Sequence, residues 1–90
     1  MKAILVVAMV GAALLPLAVQ AGAPCKANPK ADWMNEADAK AKLEAQGYKI
    51  AKFKVDGNCY EIYGTNKDGK KVEIYFDTKS LDIVKAEIEK

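Results

Sequence analysis

Apolar and polar residues alternate along three stretches in the second half of the chain. Between Tyr48 and Asp56, Ala51, Phe53 and Val55 are separated by Lys52 and Lys54. Between Cys59 and Thr65, Tyr60 and Ile62 share one parity, and Glu61 and Tyr63 share the other. Between Lys71 and Asp77, Val72, Ile74 and Phe76 alternate with Lys71, Glu73, Tyr75 and Asp77. A period of two sends successive side chains to opposite faces, so each stretch is predicted to be a half-buried β-strand. Gly57-Asn58 suits a two-residue hairpin connection, and Asn66-Lys67-Asp68-Gly69 is a second turn signal. Thr78 to Leu81 forms a third connection. Beyond it, Ile83-Val84 favours a fourth strand, whereas the run from Lys85 to Lys90 tolerates helix. For Ile83 to Ile88 the strand is preferred and the helix stays open.

Asp32 to Gly47 carries a different signal. Ala37, Ala39, Ala41, Leu43 and Ala45 alternate with polar residues, which on its own suggests a strand. Ala, Lys and Glu nevertheless favour helix and are depleted in strands. Asn35 is a good N-cap, with Asp38 three residues on as in a capping box, and Gly47 suits the left-handed position that closes a helix. A helix is therefore expected, with Ala39, Leu43 and Gly47 on its buried stripe and Trp33 and Met34 covering its edge. The predicted fold class is α+β: one helix packed on a three- to four-stranded antiparallel β-meander. Phe53, Val55, Tyr60, Ile62, Val72, Ile74 and Phe76 form the expected buried face.

The first 21 residues are of another kind. Met1 and Lys2 precede a run from Ala3 to Val19 with no charge, interrupted only by Gly11 and Pro16. Val19 and Ala21 stand at the −3 and −1 positions of a signal-peptide site, so cleavage after Ala21 is expected. A spanning anchor needs about 20 apolar residues, and this run is shorter and holds a Pro. The expected organisation is thus a signal peptide at 1–21, an extended arm at 22–31 and one domain at 32–90, in a periplasmic or secreted protein without stable membrane insertion. The arm holds Pro24 and Pro29 and shows no hydrophobic period. In an oxidising compartment, Cys25 and Cys59, the chain's two cysteines, are expected to form a disulfide. Closing a loop of about 35 residues is worth roughly 3.8 kcal/mol in the chain-entropy treatment, which matters to a domain with a thin core.

Composition removes several classes of function. The chain has no His and no Arg, and its 14 Lys face 12 acids. A strongly electrostatic nucleic-acid binder does not fit that balance. Ser-His and Cys-His catalysis and His-ligated metal sites are excluded by composition. Ser80 is the only Ser and has no base available. The carboxylates are scattered, and no cofactor or metal motif is present, so an enzyme is not expected. One cluster invites recognition instead. Glu61, Tyr63, Glu73 and Tyr75 are predicted to lie side by side on the outward face of neighbouring strands, with Lys52 and Lys54 nearby. Tyrosine offers apolar area together with a hydroxyl and suits a binding surface, although cross-strand Tyr pairing also stabilises a sheet by itself. The terminal strand is a second place for a partner, by strand addition at its open edge.

Three segments together resemble a small PepSY domain: Asp32-Trp33-Met34 ahead of a helix closing at Gly47-Tyr48; Gly57-Asn58-Cys59-Tyr60-Glu61-Ile62-Tyr63-Gly64; and the run from Gly69 to Asp77. The resemblance covers about residues 32 to 85 and rests on turns and strands, not on a catalytic signature. It implies a helix on an antiparallel sheet and a non-catalytic module, secreted or periplasmic, of the kind found in propeptides of thermolysin-type metallopeptidases. It further implies binding, and regulation or inhibition, of a peptidase or another envelope protein. No peptidase domain is fused here, so such regulation would act in trans, and no functional residue carries over from the family. The alternative is an envelope sensor or scavenger of a small ligand or metal ion.

Overall fold

The computed structural model describes residues 22–89. The expected signal peptide, residues 1–21, lies outside the described residues. A short 3-10 turn, Lys30–Asp32, precedes helix α1, Glu36–Ala45. Four strands follow: β1, Lys49–Asp56; β2, Cys59–Thr65; β3, Lys71–Asp77; and β4, Ile83–Ile88. They form one antiparallel sheet in the order β1-β2-β3-β4. The chain is thus α+β with one α-helix among the described residues, and the C-terminal segment left open between strand and helix is a strand.

The helix begins just after Asn35, the N-cap expected from the sequence, inside the broader 32–47 span. Asn35 holds extended backbone angles, and its side-chain oxygen accepts from the Ala37 N–H at 2.8 Å and the Asp38 N–H at 3.3 Å. That cap satisfies two of the amides a helix start leaves orphaned. Residues 33 and 34 stay out of the helix because their polar groups are committed elsewhere. The Trp33 ring nitrogen donates to the Asn28 carbonyl at 2.8 Å, and the Met34 N–H donates to the Thr78 carbonyl at 2.8 Å. At the far end Gly47 turns the chain away with a φ of 108°. A Cβ there would also come within 2.9 Å of the Lys67 Cβ.

The apolar core joins helix and sheet residues in one cluster. Ala39 and Leu43 of α1 are buried in one cluster with Tyr60, Ile62, Val72, Ile74, Phe76 and Leu81. Trp33, Met34, Tyr48, Ile50 and Phe53 pack against its margin. Trp33 meets Tyr60 edge-on at 5.5 Å, and Tyr48 meets Phe76 edge-on at 6.2 Å, an arrangement aromatic rings favour. Val55 departs from the expected buried face, being 42% exposed. It lies on β1, an edge strand with a neighbour on one side only, near the hairpin tip. Ala51 is exposed as well, because the register of β1 against β2 shifts between Ile50 and Lys52. A bulge of this kind removes a residue from the alternation. Leu81 had no sequence signal. It is buried in a connection, with a φ of 64°.

At Gly64 the backbone of β1 leaves no room for a side chain. A Cβ at this position would sit 1.9 Å from the Lys49 carbonyl oxygen. That overlap involves backbone and no rotamer change relieves it. The Gly64→Ala variant is expected to lose about 2 kcal/mol of stability, read from the urea midpoint, with no change in the spectrum of the remaining folded fraction.

Cys25 and Cys59 are bonded, with Cα atoms 5.5 Å apart. The bond ties the arm to the first residue of β2. Replacing both cysteines with Ser is expected to lower the unfolding free energy by about 3 to 4 kcal/mol, and urea denaturation without reductant measures it. A loss below about 1 kcal/mol would mean that the arm is held by its other contacts.

Candidate functional site

The strand register arranges the outward face in transverse rows. Lys54 pairs with Glu61, Glu61 with Tyr75, and Tyr75 with Lys85. The neighbouring row runs Lys52, Tyr63, Glu73, Glu87. A third row, Asp56, Cys59, Asp77, lies toward the β1–β2 turn. Directly opposed residues have Cβ atoms about 5 Å apart, and diagonal neighbours remain within reach of long side chains. Glu61, Tyr63, Glu73 and Tyr75 therefore form one cluster across β2 and β3.

The cluster is less open than a solvated sheet face. Glu61 is 0% exposed and Tyr75 5%, Glu73 is half-buried, and Tyr63 is 37% exposed. Lysine ammonium groups approach the faces of the tyrosine rings. Lys52 and Lys54 lie 5.8 and 5.9 Å from the Tyr63 centroid, and Lys85 lies 5.6 Å from the Tyr75 centroid, within the range of cation–π attraction. Lys85 also donates to the Gly22 carbonyl at 3.2 Å and pairs with Glu87 at 3.5 Å. The start of the arm thus reaches the sheet beside the cluster.

The electrostatics centre on two carboxyl groups. The Tyr75 hydroxyl donates to Glu73 Oε2 at 2.9 Å. Neither Glu61 oxygen makes a hydrogen bond of good geometry among the described residues, but Glu73 and the Tyr63 and Tyr75 hydroxyls stand close enough to act on its titration. Burial, and then the adjacent Glu73 carboxylate, push the Glu61 carboxyl above the ordinary carboxylate range. Glu73 is held below that range, first by the Glu61 carboxyl beside it and then by the tyrosine hydroxyls and the Lys85 charge. The two carboxyls share their titration, and Glu61 keeps the proton longer. The Tyr63 hydroxyl is pushed up to about 12, chiefly by the Glu61 carboxylate. Tyr75 is raised chiefly by its burial. Both phenols therefore remain donors at neutral pH. The cluster offers two hydroxyl donors and two carboxyl acceptors on one surface, a set suited to recognition by hydrogen bonds.

A second polar group escaped the sequence reading. Asp77 accepts from the backbone N–H groups of Lys79 and Ser80 at 2.9 and 2.8 Å, from the Ser80 hydroxyl at 3.1 Å, and from the Asn28 side-chain amide at 3.1 Å. Led by the Ser80 N–H, these donors hold its carboxyl down at about 2. The signal available was Asp77-Thr78-Lys79-Ser80, a pattern in which Asp bonds to the backbone just ahead. This group joins the third connection to the arm. It is buried and its acceptors are already used, so its part is structural. Beside Glu73, a cleft of about 320 Å³ runs along β3 and β4, lined by Lys71, Val72, Glu73, Glu87, Ile88 and Glu89. Among the described residues no group of three or more acidic, Cys or His side chains is placed to hold a metal ion. No helix among them is long and apolar enough to cross a membrane.

A family described as "Peptidase propeptide and YPEB domain" matches residues 3–87. The match extends beyond the 32–85 span of the resemblance at both ends. No curated protein and no solved structure matches the chain significantly.

The state of Glu61 has a measurable consequence. A carboxyl whose pKa is raised on folding contributes stability that is fully present below its unfolded pKa and is lost as pH rises through its folded pKa. At neutral pH Glu61 therefore works against the fold. Glu61→Gln is expected to be more stable than the parent by about 1 kcal/mol near pH 7.5, with the difference closing toward about pH 4. Urea denaturation of both proteins across that range tests it. A Glu61→Gln protein less stable than its parent at neutral pH would show the carboxylate to be favourably paired.

Proposed function

The chain belongs to the PepSY family, the peptidase propeptide and YPEB domains, and from that premise we propose that it is a non-catalytic binding module of the periplasm or the extracellular space. In this reading its partner is a peptidase or another envelope protein, which it regulates. In this reading the α1 helix, whose Ala39 and Leu43 join the core cluster, covers the inner face of the sheet and leaves the outer face for the partner. Glu61, Tyr63, Glu73 and Tyr75 form the contact surface.

The observation that carries this reading is Glu61, buried in the middle of that surface with no hydrogen bond of good geometry among the described residues. A buried polar group without a partner costs about 1 to 3 kcal/mol, and native proteins leave few such groups. A partner that displaces the side chains covering Glu61 and presents an N–H, ammonium or guanidinium donor to it recovers that energy on binding. Tyr63, the most exposed member of the cluster, supplies the apolar area that binding surfaces draw from tyrosine. A leader expected to export the chain agrees with the same setting.

The test is a titration of the purified, disulfide-bonded chain against envelope peptidases, following both proteolysis and direct binding. At least one peptidase is expected to be slowed or bound. Tyr63→Ala is expected to weaken that binding about tenfold, the size of a typical contact residue's contribution, without loss of fold. A chain that binds and slows none of them would overturn the proposal. Binding indifferent to Tyr63→Ala and to Glu73→Ala would move the contact surface elsewhere.

A further inference from the structure

The two edges of the sheet are built differently. β1 carries Lys49, Lys52 and Lys54 and a register shift between Ile50 and Lys52. Charged side chains and irregular register are the devices that keep an edge strand from pairing with another chain. β4 has a register shift only at its beginning, opposite Tyr75 and Phe76. It exposes Ile83 (55%), Val84 (36%) and Ile88 (52%). Ile83, Ala86 and Ile88 pair with Phe76, Ile74 and Val72, so they stand on the core side of the sheet. Lys85 and Glu87 pair with Tyr75 and Glu73 and stand on the outward side.

Backbone direction follows from one hydrogen bond. The Glu89 N–H donates to the Lys71 carbonyl at 2.9 Å. Along an antiparallel strand the amides alternate in direction. The groups of Glu87 and Lys85 therefore also turn to β3, and those of Ile88 and Ala86 turn to the open edge. We propose that β4 pairs antiparallel with β4 of a second copy of this chain about a twofold axis at Ala86, joining two sheets into one of eight strands.

Self-complementarity selects the partner and the register. With the axis at Ala86, Ala86 meets its own symmetry mate and Ile88 meets Val84. Lys85 then lies across from Glu87 of the other copy, twice. These are non-hydrogen-bonded positions, where side chains approach most closely. Shifting the pairing by two residues sets Lys85 against Lys85 in one direction and Glu87 against Glu87 in the other. Like charges opposed in this way are destabilising. Ile83, Val84 and Ile88 of both copies then form one apolar strip along the junction, and the axis stands perpendicular to the sheet. Both Glu61–Glu73 clusters face the same side. A partner with two sites would engage them together.

Analytical ultracentrifugation of the disulfide-bonded chain tests the proposal, over concentrations up to about 1 mM, the range in which small interfaces associate. The parent is expected to shift from monomer toward dimer across that range. Ala86→Pro removes an amide that faces the open edge and leaves the β3–β4 ladder intact, and it is expected to stay monomeric. Lys85→Glu and Glu87→Lys are each expected to weaken the dimer at least about tenfold, since each opposes like charges at both places. An equimolar mixture of those two variants, or the double swap in one chain, restores opposite charges and is expected to restore association. Far-UV circular dichroism establishes that each variant is folded. A parent that stays monomeric throughout, or a dimer that survives Ala86→Pro, overturns the proposal. A dimer lost in both charge variants and not restored by mixing or by the double swap overturns the register. Association with an added peptide at β4 in a chain that remains monomeric likewise refutes self-pairing.

Discussion

The pleat of β2 is the constraint on which the rest of the molecule depends. Its seven residues sit between β1 and β3, so each side chain is assigned to one side of the sheet and neither side is free to change. Tyr60 and Ile62 go to the core, and Cys59, Glu61 and Tyr63 go outward. A slip of one residue would exchange the two sets. It would put Glu61 into the apolar cluster and withdraw Cys59 from the arm. Several contacts hold the register. The Tyr60 hydroxyl donates to the Met34 carbonyl, the disulfide holds Cys59 to Cys25, and Gly64 admits the Lys49 backbone where no side chain fits.

That strand also explains why the outward face is not an ordinary solvated one. Cys59 draws the arm over one end of it, where Asn28 binds Asp77 and Thr78 and Gly22 receives Lys85. Beside this, Glu61 is fully buried in the row between Lys54 and Tyr75. Burial without a hydrogen bond of good geometry makes its charge unfavourable, while Glu73, bonded to Tyr75, retains its own. Two identical residue types on one face thus acquire opposite tendencies from their surroundings. A small domain tolerates such a cost when the disulfide and the Asp77 junction stabilise the structure independently of the cluster.

Most of the fold was legible because the sequence repeats the period of its structure. β2 and β3 alternate cleanly, and both are the strands with neighbours on each side. Gly57 and Gly69 fall in the turns where they were expected, and Asn35 caps the helix through its side chain. The failures cluster at the edges. Val55 keeps the alternation but is exposed, because an edge strand receives cover from one neighbour only. Ala51 leaves the alternation through a bulge that period-two reasoning does not contain. Trp33 and Met34 stand ahead of the helix as expected, but their partners, Asn28, Thr78 and Tyr60, have no local signal.

The candidate site divides in the same way. The sequence by itself determined that Glu61, Tyr63, Glu73 and Tyr75 share a face, because parity along a strand depends only on counting. It also determined the single possible cysteine pair and the lack of His-dependent chemistry. Only the tertiary structure decided that Glu61 is buried without a hydrogen bond of good geometry and that lysines lie over both tyrosines. Those properties depend on what lies opposite and above each residue. That is set by register across strands and by the path of the arm, which local sequence periodicity does not encode.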